Sequence, residues 1–578
     1  MNRPVGVNVR AVFWTVILSA FFMTLARVLS PFEVGKDQAL QLEAAQRLVS
    51  GFGLTSTYFA YHPSDISRPP VPGYLTWWPP GFSLIAAALL WTGVPLGIVL
   101  RSLYGALTLL GWAGWARLAD AALGTPDNHR SGSRLLVAAL LPVFFTPSWG
   151  GTDIFLWAAA SYFTLWLYKS GTSQHPYKLV AWAGLLAGLA FSIRYGAAFL
   201  FPAGLLILLQ ASWPDRVATL RRSLLFSAAS AAPVMATLLY IRLVSDTAFL
   251  PEYISITARQ VDWQSFIGRA LSGLPATSTL LVGSPLLEEV ARRLPHPAMR
   301  QAAGAICFLG VLSLPVVLLR ARVAGLHRQN TSVLLPLAIL PLFLTLFLIA
   351  TAYFNISNFD PVGYERYYHP LALCGVLTWC AVAGNRRAAS SYRVFAGVMI
   401  GMSFAYYCAY LPWKAAVEGD PAGLTRVTLG YTPGRSSSYS STSLHLDFPS
   451  GQVYSLKENS RTRIRELHDR YPAAVFYLQN HAFYVYDAFQ LAPELRGLDL
   501  RQHPNSPDFW RSASTSKPLT VVWVMNVATF AQIEEQRVRN ALLDATVRSG
   551  HVVFEDAFEK TTIVVADLPT AGRLPRAD

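Results

Sequence analysis

Along roughly the first 410 residues, apolar positions run in blocks of about 20, the length that crosses ~30 Å of hydrocarbon at 1.5 Å per helical residue. The blocks predict spans near 11–30, 97–118, 134–149, 152–169, 179–196, 197–212, 224–244, 301–320, 332–353, 367–384 and 394–411. One further apolar stretch, "WPPGFSLIAAALLWTGV" at 78–94, is short and opens with Pro79-Pro80. It reads as a half-membrane or surface-lying helix rather than a twelfth span.

Beyond residue 412 the periodicity changes. A polar stretch containing "GRSSSYSSTS" makes 413–443 a flexible linker. Residues 444–578 alternate short apolar runs such as "AAVFYLQ" and "LTVVWVM" with amphipathic ones such as "RTRIRELHDRY" and "FAQIEEQRVRNALLDATVRSG". Strands and helices in alternation predict a small α/β domain. The fold class is therefore a polytopic α-helical membrane protein of about 11 spans with a small C-terminal α/β domain.

Charge assigns the sides. Arg3 and Arg10, Arg130 and Arg134, Lys169 and Lys178, Arg216, Arg221 and Arg222, Arg322 and Arg328, and Arg386, Arg387 and Arg393 fall on alternate loops. The positive-inside rule makes these loops and the N-terminus cytoplasmic. Segments 31–96, 245–300 and everything after about 412 then lie outside. Counting 78–94 as a span would invert every later loop. The composition agrees, since 53% hydrophobic and 14% charged residues exclude an ordinary soluble chain. A net charge of +14 would point to nucleic acid in such a chain. Here it is topology. Cys307, Cys374, Cys380 and Cys408 lie within apolar runs without metal-ligand spacing, and read as buried thiols. The first apolar run is too long for a signal peptide and reads as a retained span.

Three groups could carry chemistry. Asp37 opens the amphipathic segment "KDQALQLEAAQRLVSGFG" just outside the first span. A carboxylate there caps a helix, and if the stripe Leu40, Ala44, Ala45, Leu48, Val49 lay on the bilayer surface it would also sit at the mouth of a cavity. Glu43 and Arg47, four apart, read as a surface pair. Asp153 lies between two spans on the outer side. Arg101, Arg194 and Arg366 stand at outer span ends and belong to none of the cytoplasmic basic loops. Cations within apolar segments face a partner, and three on one side point to an anionic ligand such as phosphate. For each residue singly, capping or helix-end anchoring is the plain alternative. The chain has no Walker motif, no G-x-G-x-x-G and no Asp-x-Asp, which disfavours a cytoplasmic nucleotide-sugar site.

Taken in order, these motifs resemble those of the lipid-donor glycosyltransferases of the GT-C fold, in particular the protein O-mannosyltransferase and aminoarabinose transferase group (glycosyltransferase family 39-like). The matching residues are Asp37, then Ala44/Ala45, Leu48, Gly51 and Gly53, then Pro79-Pro80-Gly81. Arg101 with Gly105, Asp153, Arg194-Tyr195, and Arg366-Tyr367 with Pro370 follow. The similarity covers roughly 30–380. Two positions depart from the group. Gln38 stands where many relatives carry a second acid, and Trp77-Trp78 where aminoarabinose transferases carry an acidic-basic pair.

The resemblance implies that residues 1–412 form a transmembrane glycosyltransferase module in a bacterial inner (plasma) membrane. Its donor would be a polyprenyl-phosphate sugar, and its acceptor an extracytoplasmic lipid, glycan or protein. Asp37 would be the base, Arg101, Arg194 and Arg366 would bind the donor phosphate, and the anomeric centre would invert. Asp153 would orient the acceptor or, as in oligosaccharyltransferase relatives, help Asp37 hold a divalent metal. With no second acid beside either aspartate, a reaction without cofactor is the expectation. The loop 245–300, with "PEYISITARQVDWQSF", would be a lid over donor or acceptor. The alternative from another class is a transporter or flippase of a lipid-linked or anionic substrate, but such proteins tend to show internal repeats, and none is seen here.

Overall fold

A computed structural model describes residues 36–60, 71–123 except 77, 152–212 except 172, 215–244, most of 266–323, 328–353, 365–384 and Trp413, and in the C-terminal part 445–446, 453–454, 458–478, 496–498, 519–526, 550–556 and 561–568. Spans expected at 11–30, 134–149 and 394–411, all but the last residue of the helix expected over 530–550, and Cys408 lie outside these residues. The described residues fall into two compact units, one within 1–30 and 101–433, the other within 31–100 and 434–578.

The unit that starts at Pro31 begins with α1 (Lys36–Val49), followed by β1 (Thr55–Ala60), β2 (Val71–Tyr74) and α2 (Gly81–Leu90). The turn from α1 into β1 uses Gly51 at φ +86° and Gly53 at φ +74°, a backbone region that side chains with a Cβ avoid. Gly51 N–H donates to the Leu48 carbonyl and Phe52 N–H to the Arg47 carbonyl, closing the last turn of the helix. At ten residues, α2 is about 15 Å long, half the hydrocarbon thickness, so it is too short to cross. It buries Phe82, Ser83, Ala86 and Ala87, and the Ser83 hydroxyl donates to the Gln41 carbonyl of α1 at 2.7 Å.

That packing corrects one expectation. Glu43 and Arg47 are not a surface pair. Glu43 is fully buried and Arg47 is 3% exposed, and their neighbours Gln41, Leu42, Ala44 and Ala45 are buried too. A helix buried on this much of its circumference is an interior element, not one with a single apolar stripe on a bilayer. The sequence showed a polar face, and neighbouring α2 and β1 cover it.

The membrane unit holds α3 (Leu96–Leu123) from Arg101 onward, α4 (Thr152–Ser170), α5 (Pro176–Ile193), α6 (Leu200–Ser212) and α7 (Arg216–Val244). Two short helices, α8 (Ser278–Val282) and α9 (Leu286–Arg292), lead to α10 (Pro297–Val323) and α11 (Arg328–Tyr353). The short α12 (Glu365–Tyr368) runs through a turn of 3-10 helix into α13 (Ala372–Gly384). Among the described residues four stretches are long and apolar enough to cross a membrane, Pro176–Ile193, Arg216–Val244, Pro297–Arg320 and Val333–Thr351. Ile306, Leu309, Val316 and Leu319 of α10 are about half exposed or more. Such side chains are stable against lipid and costly against water. The chain is an integral membrane protein.

Small residues set the spacing of its helices. A Cβ at Gly184 would come within 2.5 Å of the Phe226 carbonyl oxygen, and one at Gly188 within 2.5 Å of that of Ser230. Four residues apart, the two glycines let α5 and α7 meet backbone to backbone, the small-xxx-small contact of membrane helices. Ser192 then donates to the Pro233 carbonyl at 3.0 Å and Thr237 to the Ser192 hydroxyl at 2.8 Å. These bonds cross the same seam. Trp115 of α3 donates to the Trp157 carbonyl of α4 at 3.1 Å, with both rings buried.

Part of the loop expected to be a lid is interior. Leu274, Ala276, Thr277, Ser278, Thr279 and Leu280 are all buried. The carbonyl of Leu280 packs where Gly375 of α13 has no side chain. Most of "PEYISITARQVDWQSF" lies outside the described residues.

The C-terminal part supplies β3 (His445–Leu446), β4 (Val453–Tyr454), α14 (Glu458–Arg470), β5 (Val475–Leu478), β6 (Arg496–Leu498), β7 (Leu519–Asn526), β8 (Gly550–Asp556) and β9 (Thr561–Leu568). One sheet runs β2-β1-β6-β5-β7-β9-β8. Its outer two strands on one side thus come from the segment after the first expected span. β1 pairs antiparallel with β2, and parallel with β6 through Tyr58 opposite Gly497 and Phe59 opposite Leu498.

Candidate functional site

In the membrane unit the site is built on a helix break. α5 ends at Ile193, and Arg194 takes an extended conformation, φ −150° and ψ 115°, before a 3-10 turn at Tyr195–Phe199. Its N–H still closes the helix on the Ala190 carbonyl at 2.8 Å, so the side chain departs where regular helix stops. Asp153 is the second residue of α4, in its first turn, where the helix dipole favours a carboxylate.

The break and the helix start meet. Arg194 Nη1 forms an ion pair with Asp153 Oδ1, with side-chain exposures of 13% and 4%. The same nitrogen reaches the Thr152 hydroxyl at 3.4 Å. The guanidinium lies over the ring of Tyr367, 4.9 Å from its centroid. That ring sits on α12 one residue after Arg366, and Tyr368, His369 and Pro370 beyond it are buried. A part-buried guanidinium is stabilised by charge compensation and hydrogen bonds, and an aromatic face adds a cation–π contact. Arg194 has all three.

Two candidate residues from separate segments, Asp153 and Arg194, are therefore joined directly, and the segment carrying Arg366 is joined through Tyr367. Arg101 is the sixth residue of α3 and Arg366 the second of α12. Asp37 is the second residue of α1, in the first turn of a helix that starts at Lys36. The sequence reading gave no role to Thr152 or to the ring of Tyr367. Tyr367 stands within the "R-Y-x-x-P" motif, which was the available signal. For Thr152, adjacency to Asp153 was the only one.

The chain is similar to membrane glycosyltransferases of the GT-C fold. One is the oligosaccharyltransferase of Archaeoglobus fulgidus in complex with zinc and sulfate, at 10% identity and TM-score 0.44, covering 89% of this chain and 67% of that one. Another is the mycobacterial arabinofuranosyltransferase AftD, at 12% identity and TM-score 0.44, covering 97% of this chain but 40% of the larger protein. A third is ArnT of Cupriavidus metallidurans bound to undecaprenyl phosphate, at 12% identity and TM-score 0.37, covering 96% and 97% of the two chains. No family model and no curated protein matches the chain.

A divalent metal shared by Asp37 and Asp153 was the alternative to a reaction without cofactor. Among the described residues no group of three His, Cys, Asp or Glu side chains is placed to hold a metal ion. Asp153 contacts a cation of the protein itself, Arg194.

Proposed function

We propose that the protein moves a sugar from a polyprenyl-phosphate donor to an acceptor on the outer face of a bacterial inner membrane, with its N-terminus cytoplasmic. The observation that carries this reading is the part-buried assembly of Arg194 and Tyr367 around the buried Asp153, with Arg366 next to Tyr367 in sequence. A buried aspartate, a hydroxyl and an aromatic ring hold one cation at a helix break within an apolar helical unit. Holding a guanidinium rigid in low dielectric prepares it for an anion before the anion arrives.

In the transfer, the acceptor hydroxyl oxygen attacks the anomeric carbon opposite the phosphate. The bond between that carbon and the phosphate oxygen breaks, its electron pair leaves with polyprenyl phosphate, and the acceptor proton passes to Asp37. One displacement inverts the centre. Negative charge growing on the leaving phosphate is stabilised by Arg101, Arg194 and Arg366. Asp153 and Thr152 keep Arg194 oriented through its Nη1.

The test uses purified protein in detergent, supplied with polyprenyl-phosphate sugars of several kinds and assayed for release of polyprenyl phosphate. Consumption of a donor by the wild type, abolished in Asp37→Asn, supports the reading. Failure of the wild type to consume any donor turns the balance to a transporter. The acceptor follows from comparing envelope glycans of cells with and without the gene.

A further inference from the structure

Arg47 is a buried cation that the reaction above does not use. It lies in the last turn of α1, the helix that carries Asp37. Its Nε donates to the Thr55 hydroxyl at 2.9 Å, and that hydroxyl donates to the Phe52 carbonyl at 2.9 Å. The guanidinium also lies over the Phe52 ring at 4.9 Å. Burial lowers the Arg47 pKa from its usual value, while the charge of Glu43, one turn back, raises it.

A guanidinium that is 3% exposed is stable only when its charge and N–H groups are met in a fixed geometry. Here the partners lie on both sides of the Gly51–Gly53 turn. Glu43 is on the helix, Phe52 is in the turn, and Thr55 is the first residue of β1. Any rotation or slide of α1 against β1 would strand the charge. β1 is in turn fixed within the sheet by β2 on one side and β6 on the other.

We propose that Arg47 is a positioning residue for Asp37: by locking the end of α1 to Thr55, it sets the angle at which the helix presents its first turn. This rests on the reading of Asp37 as the base. The C-terminal strands then act on the reaction through β1 and α1, without contributing a reacting group.

The test is hydrogen–deuterium exchange across residues 36–49 together with steady-state transfer kinetics, for Arg47→Met, Arg47→Lys and Thr55→Val in the full chain. Thr55→Val keeps the shape and removes the acceptor oxygen, so it carries the test if Arg47→Met does not fold. With either Arg47→Met or Thr55→Val, exchange over 36–49 should rise at least about tenfold and kcat fall about tenfold or more, with the donor KM within about twofold. Arg47→Lys should retain part of the kcat that Arg47→Met loses. Unchanged exchange, or a loss confined to KM, overturns the proposal. If Asp37→Asn transfers sugar undiminished, the base assignment fails, and the exchange of α1 still decides whether Arg47 holds the helix.

Discussion

Arg194, at the broken end of α5, is ion-paired with Asp153, at the start of α4. Both are apolar-segment charges that would each be costly alone. Together with the Tyr367 ring they neutralise and orient one another.

Removing one member takes the ion pair away from a charge held largely out of water. Arg194→Met or Asp153→Asn should each destabilise the protein by about 3–5 kcal/mol. Thermal unfolding in detergent measures this. The double variant should lose less than the sum of the two, because the stranded charge is absent. Additive losses would show that the pair is not an energetic unit.

The transfer step should depend on Asp37 far more than the fold does. Asp37→Asn is expected to lower kcat about 100-fold or more, the usual contribution of a positioned base. The melting temperature should stay within a few degrees. A parallel loss of folded protein would return Asp37 to a role at the helix start.

Binding of the lipid phosphate should respond to the remaining cations. Arg101→Gln and Arg366→Gln should each weaken binding of undecaprenyl phosphate about 10- to 100-fold, the equivalent of one charged hydrogen bond of about 1.5–3 kcal/mol. Equilibrium binding with a labelled lipid phosphate checks this. Unchanged affinity in both would remove them from the phosphate site.

Because Asp153 faces Arg194, transfer should survive chelation. Sugar transfer after exhaustive EDTA dialysis is expected within about twofold of the untreated rate. Loss of activity restored by one divalent ion would return a metal to the mechanism.

The helix seam makes a prediction independent of catalysis. Gly188→Val places side-chain atoms on the Ser230 carbonyl and Pro233 ring, which a Cβ would already meet at 2.5 and 3.0 Å. Overpacking of this kind costs about 1–3 kcal/mol. Gel filtration should show a smaller folded fraction, with Gly188→Ala intermediate.

Much of this was readable in the chain itself. Apolar blocks of membrane length marked the helices later found at Pro176–Ile193, Arg216–Val244, Pro297–Val323 and Arg328–Tyr353, because crossing hydrocarbon demands continuous apolar helix. The short length and paired prolines of 78–94 foretold a helix too brief to cross. The out-of-place charges Asp153 and Arg194 stood out because burying a charge is expensive and rarely accidental. What the sequence could not decide was which charges meet. Arg194 reads as an orphan until the break after Ile193 turns its side chain to Asp153, and Glu43 and Arg47 read as a solvated pair until α2 and β1 cover them. The place of β1 beside β6 was equally hidden, since hydrophobic period reports which face of a strand is buried and carries nothing about the strand that will lie next to it. Local pattern determined the elements; only tertiary packing decided the partners, because partnership depends on groups far apart in the chain.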